Sequence, residues 1–190
     1  NGEVNGNVTI FQEGGKYFPS STIKIDSLEV NKHSLGELRM NIAGNESLTQ
    51  YRINSRLLDK SHKKTFSALG MVDVQESGSD MKINVDLNEF DISCFSQLGG
   101  IVFEDLRGLV SGKATINGSY KDPAIDGMVT LKKAGLKIPY LNVDFDFEEN
   151  ARMLHQKQRF VFDEINIMDT KYKTRGILGG YIEHKQFSDW

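Results

Sequence analysis

The sequence is poor in the residues that staple or break a fold. One cysteine, Cys94, in 190 residues permits no internal disulfide and cannot by itself build a zinc site. Only three prolines occur, which suits long hydrogen-bond ladders, because each proline removes a ladder donor. A charge excess of one sign is also missing: 23 basic side chains face 26 acidic ones, a formal charge of −3. Without a basic field, neither duplex nucleic acid nor an anionic membrane surface is expected as the main partner. No apolar run reaches the roughly 18 residues of a membrane-spanning helix. The chain opens at Asn1 without an initiator Met or a signal-peptide pattern, so it reads as a soluble excerpt of a longer protein. The four histidines, His33, His62, His155 and His184, form no H-x-x-x-H or H-E-x-x-H pair. Gly108 to Lys113 has three spacers where a phosphate loop has four, and Ala114 stands where Ser or Thr would hold magnesium. Neither an enzyme nor a cofactor is expected.

What the chain does have is alternation. With 38% hydrophobic residues and 18 glycines it has the makings of an ordinary folded domain rather than disorder, and its apolar residues recur with the period of two that belongs to strands. Leu141, Val143, Phe145 and Phe147 alternate with Asn142, Asp144, Asp146 and Glu148. Ile83, Val85 and Leu87 follow Met81 in the same way. Further runs pass through Ile23 and Ile25, through Leu38, Met40 and Ile42, and through Tyr51, Ile53 and Leu57. Val110 and Ile116, Val129 and Leu131, and Phe160 and Phe162 continue the pattern, with a phase slip at Asp163-Glu164 that a bulge would produce. Turn chemistry separates these runs at Glu13-Gly14-Gly15, Gly44-Asn45, Glu76 to Asp80, Asn117-Gly118, Lys121-Asp122-Pro123 and Gly179-Gly180. Ile92, Phe95, Leu98 and Val102 instead have helical spacing, so one short helix is predicted within 92–103, weakened by Gly99-Gly100.

Two stretches repeat. Gly2 to Ile10 and Gly108 to Ile116 share the pattern glycine, x, valine, x, glycine, x, small, threonine, isoleucine, and Leu28 to Leu38 is echoed more loosely by Ile165 to Gly179. Repeated strand units suggest growth along one axis, with a repeat boundary near residue 90 in a single groove domain. Glycines at facing positions allow the sheet to curve. An all-β, elongated, curved, mostly antiparallel sheet is expected, a half-pipe with an apolar concave face.

The segment Leu106 to Lys132, LRGLVSGKATINGSYKDPAIDGMVTLK, and the close of the chain from Ile165 to Trp190, with its G-x-L-x-G-x-I-x-H strand and Phe-Ser-Asp tail, resemble the TamB family. These are AsmA-like translocation and assembly proteins of the Gram-negative envelope. The resemblance implies a β-taco in a periplasmic protein anchored upstream in the inner membrane and reaching a BamA- or TamA-type outer-membrane barrel. It also implies phospholipid transport between the membranes, or assembly and secretion of outer-membrane proteins.

Three readings of the apolar stripes follow. They line a groove for phospholipid acyl chains, with Ile83, Val85, Leu87, Val110, Ile116 and Val129 on it together with Leu131, Leu141, Val143, Phe145, Phe147, Phe160 and Phe162. Or the sheet templates client strands through an open edge such as Gly176 to Glu183. Or the stripes simply build the core of a closed sandwich or barrel. The acidic row Asp144, Asp146, Glu148 reads as the wet side of a strand, since a single row does not converge on calcium. Cys94 reads as a packed thiol, and Lys60, His62, Lys63 and Lys64 as a solvated hairpin tip.

Overall fold

The computed structural model describes residues 1–75, 78–187 and 189–190; Glu76 and Ser77 of the turn expected at 76–80, and Ser188 of the tail, lie outside them. Among the described residues the chain is all-β. Its strands are β1 (Glu3–Glu13), β2 (Lys16–Val30), β3 (His33–Gly44), β4 (Gln50–Leu58), β5 (Lys64–Gln75), β6 (Gly78–Asp91), β7 (Glu104–Ser119), β8 (Asp122–Ile138), β9 (Val143–Phe147), β10 (Arg152–Lys157), β11 (Arg159–Asp169) and β12 (Arg175–Glu183). Two 3-10 helices, Ile92–Gly99 and Pro139–Leu141, are the only helical pieces among the described residues. The first takes the place of the expected short helix, capped by the Asp91 carboxylate accepting from Ser93 N–H at 2.9 Å.

Where the sequence reads as one groove domain, the chain divides into two compact units, Asn1–Asp86 with Thr115–Pro123, and Leu87–Ala114 with Ala124–Trp190. In the first, strands follow in chain order with antiparallel pairing, β1 to β2, β2 to β3, β3 to β4 and β4 to β5. Short turns dictate this, because a hairpin can only return the chain antiparallel to itself.

In the second unit β8 is long enough to serve two partners along one edge. Its first half, Ile125 to Thr130, pairs with β10, and its last four residues, Gly135 to Ile138, pair with β9. β11 does the same, Phe160 and Phe162 facing β10 and Ile167 to Asp169 facing β9. β9 and β10 are therefore one interrupted strand. The interruption is closed by Asn150 N–H donating to Leu131 O and Leu131 N–H to Ala151 O, at 2.9 and 2.8 Å. The bulge expected at Asp163-Glu164 is present: Glu164 has φ 49° and the register with β12 jumps from Phe162 to Ile165.

Two expectations are corrected. Leu141 does not begin a strand: Pro139 fixes a 3-10 turn, Asn142 ends it in the left-handed region at φ 51°, and β9 starts at Val143. Gly179-Gly180 is not a turn but lies inside β12, Gly180 opposite Phe162 beside the bulge.

Candidate functional site

Antiparallel partners point to the same side of a sheet and successive residues to opposite sides, so the printed registers assign each side chain of the first unit to a face. One face reads Val4, Gly6, Val8 and Ile10 on β1, then Ile25, Ile23, Ser21 and Pro19 on β2. It continues through Leu38, Met40, Ile42 and Gly44 on β3 and Leu57, Ser55, Ile53 and Tyr51 on β4, and through Phe66, Ala68, Gly70 and Val72 on β5. β6 comes so close at Gly70 that a Cβ there would overlap the Lys82 carbonyl and the Ile83 Cα, which sets Ile83 on the same face. The other face is mostly polar, with Asn5, Asn7, Thr22, Lys24, Arg39, Asn41, Asn54 and Arg56, but it also carries Phe11, Phe18, Leu69 and Met71. There Arg39 and Lys24 hold the Glu37 carboxyl at about 2; Lys24 lies 3.1 Å from it.

An apolar face this continuous is normally sealed by a second layer. Among the described apolar residues of the first unit only Leu57 (3% exposed) and Ala68 (9%) are fully buried. Ile23, Ile25, Leu38, Met40, Ile42, Ile53, Ile83 and Val85 are all half-buried. This is not a close-packed interior, whose aliphatic residues would lose nearly all contact with water.

The second unit is different. Val110, Leu131, Phe145, Phe147, Phe162 and Ile165 are buried together. Phe147 stacks parallel to Phe162 at 6.5 Å between ring centroids and meets Phe145 edge to face at 5.4 Å. Five of the residues read as groove lining, Val110, Leu131, Phe145, Phe147 and Phe162, are thus core. Leu87, Val129, Val143 and Phe160 are half-buried. Ile116 is half-buried in the first unit, whereas Leu141 is 59% exposed, because the 3-10 turn carries it off the strand. Alternation alone does not distinguish a stripe that meets a partner layer from one that meets none.

A groove of about 730 Å³ does open on the second unit beside this core. Phe147, Ile167 and Met168 are its apolar lining, and Lys133, Asp146, Glu148, Glu149 and Arg175 its charged lining. The carboxylates of the acidic row already have hydrogen-bond partners. Asp144 and Asp146 are held by Arg107, and the Glu148 carboxylate accepts from Asn166 Nδ2 at 2.9 Å. No cluster of three or more His, Cys, Asp or Glu among the described residues could hold a metal ion. Cys94 is fully buried, and burial pushes its thiol up to about 11, which makes it a packing residue rather than a nucleophile.

No helix among the described residues is long and apolar enough to cross a membrane. None of the family models, curated proteins or solved structures compared with this chain matches it.

Proposed function

We propose that the apolar face of the first unit holds hydrocarbon, and that the chain is a lipid-carrying segment of an envelope protein moving phospholipid between inner and outer membranes. The observation that carries this reading is the row of aliphatic residues on β2 to β6 that share one face and stay only half-buried. Each methylene taken out of water gains ~0.8 kcal/mol, so a chain of about 16 carbons gains of order 10 kcal/mol before ordering costs. An aliphatic face that repeats from strand to strand offers nearly the same gain at each position, so an acyl chain crosses it over small barriers. The TamB-like glycine strands point the same way.

Mass spectrometry of protein purified without harsh detergent tests this. Phospholipid adducts are expected on the wild type and fewer on Ile53→Asp, with Asn54→Asp on the opposite face as control. Absence of adducts under conditions that load an established lipid carrier rejects the reading.

A second reading has one specific observation in its favour. Among the described residues β1 pairs with β2 alone, and all eleven of its residues are exposed. An open edge of that length can template an incoming strand through its backbone, as a scaffold for outer-membrane protein assembly with a BamA-family barrel would do. Such a scaffold would bind an extended client peptide whether or not lipid is present.

A further inference from the structure

Two histidines that sequence spacing keeps apart meet in the second unit. His155 lies on β10 and His184 just after β12, and their Nε2 atoms are 2.9 Å apart. They are 9% and 4% exposed. Strand parity aims both at Phe160, whose ring centroid is 4.5 Å from His155 and 5.2 Å from His184. The tail closes over them. Phe187 stacks on His184 at 4.5 Å, and Trp190 sits 5.2 Å from His184 and 5.4 Å from Phe103. Trp190 Nε1–H donates to the Leu98 carbonyl of the first 3-10 helix at 2.9 Å.

The hydrogen bonds fix every proton. Phe187 N–H donates to His184 Nδ1 at 3.1 Å, so that nitrogen is bare and the proton of a neutral His184 is on Nε2. It points at His155 Nε2, which must accept. The proton of His155 is therefore on Nδ1, 2.8 Å from the Ile125 carbonyl to which it donates. The chain from Phe187 through both rings to Ile125 is complete when both imidazoles are neutral. One more proton has nowhere to go. On His184 Nδ1 it would face the Phe187 N–H, and on His155 Nε2 it would face the His184 Nε2–H. The same tautomers leave one bare Nε2 rather than two, an arrangement made for a hydrogen bond and not for a shared metal ion.

The surrounding charges do not reverse this. Burial lowers His155, outweighing both its hydrogen bond to the Ile125 carbonyl and the charge of Asp126 on β8, and burial, aided by His155, also lowers His184. Asp126 accepts from the Lys157 backbone N–H at 3.2 Å. Arg159 on β11 is paired with Glu183 on β12 at 2.6 Å. Lys185 and Asp189, both exposed, are the charged residues of the tail.

We propose that the His155–His184 pair is a pH-operated latch: neutral, it holds Phe187 and Trp190 against Phe160, Phe103 and the 3-10 helix, and uptake of one proton releases them. Release uncovers an aromatic surface on β11 while the strand ladders stay paired.

Trp190 is the chain's one tryptophan, so its fluorescence reports the latch directly. Between pH 8 and pH 5, the range in which histidines titrate, wild-type emission should move to longer wavelength. Acrylamide quenching should rise several-fold while far-UV circular dichroism holds steady. In His155→Phe the Trp190 signal should be flat over that range, and in a His33→Gln, His62→Gln double variant the transition should persist. In parallel, imidazole resonances of the wild type followed by NMR should show His155, His184 and the Trp190 transition sharing one midpoint below the ordinary histidine value, a readout that does not depend on any variant folding. An invariant Trp190, a transition that survives in His155→Phe, separate midpoints, or a change that coincides with loss of sheet signal would each overturn the latch.

Discussion

Arg107 on β7 grips two carboxylates of β9 at once: its Nη2 lies 2.8 Å from Asp144 and 2.7 Å from Asp146, and the same nitrogen reaches the Phe145 carbonyl at 3.1 Å. One guanidinium thus ties the polar side of the strand whose apolar side carries Phe145 and Phe147 into the core. Because the three side chains are partly solvated, the ion pairs themselves contribute modestly. Arg107→Met is expected to cost about 1–2 kcal/mol, since it also leaves two like charges adjacent and a carbonyl unmatched. Urea denaturation measures it, and the deficit should shrink in high salt, which screens the remaining Asp144–Asp146 repulsion.

Close approach, not flexibility, explains Gly70. A methyl group there would overlap the backbone of β6. Gly70→Ala should therefore destabilise by about 2 kcal/mol or more, as overpacking does. Gly179→Ala, whose Cβ would meet nothing within 4 Å, should fall within about 0.5 kcal/mol of wild type. Equal effects at the two sites would contradict the β5–β6 contact.

Buried and half-buried apolar residues should separate by what their loss costs. Phe145→Ala empties a packed core position and should cost about 3–4 kcal/mol. Ile53→Ala, at a half-buried position, should cost roughly half as much because less of its surface leaves water on folding. Thermal or urea midpoints of the two variants decide this, and a larger loss at Ile53 would mean that its face is sealed.

The strands were legible because period-two alternation is a local property, and so was the bulge at Asp163-Glu164, where the phase of that alternation slips. The end of the strand before Leu141 is not legible, because a 3-10 turn closed by left-handed Asn142 continues the same alternation as a strand. Gly179-Gly180 looked like a turn, yet its glycines sit inside β12 beside the bulge. Which stripes would be covered was not legible, since that depends on which strands fold over which, and the core of Phe145, Phe147 and Phe162 joins β9 to β11 only through tertiary pairing. The histidine pair did leave a signal: His155 shares parity with Met153, and His184 with Ile182, so both belong to the inward side of their strands.

Stability should depend on pH through that pair. Burial lowers the folded-state pKa of His155 and His184 below the ordinary histidine value near 6.5. The unfolded chain then binds more protons in this range, so stability is complete above pH about 6.5 and falls as pH drops toward the depressed values, by at most about 1.4 kcal/mol per pH unit for each proton. Urea midpoints at pH 7.5 and 5.5 should differ in that direction, and His155→Phe should reduce the difference. A wild type more stable at pH 5.5 would contradict the neutral pair.

The lipid-binding role proposed for the first unit makes a prediction about which of its faces meets hydrocarbon. A phospholipid bearing a photoactivatable group within its acyl chain, crosslinked to the protein and mapped by peptide sequencing, reads that face directly. Adducts are expected at Ile23, Met40, Ile53 and Ile83 and not at their neighbours Lys24, Asn41, Asn54 and Asn84. Labelling spread evenly over both sets, or none above a water-soluble control probe, would contradict the account.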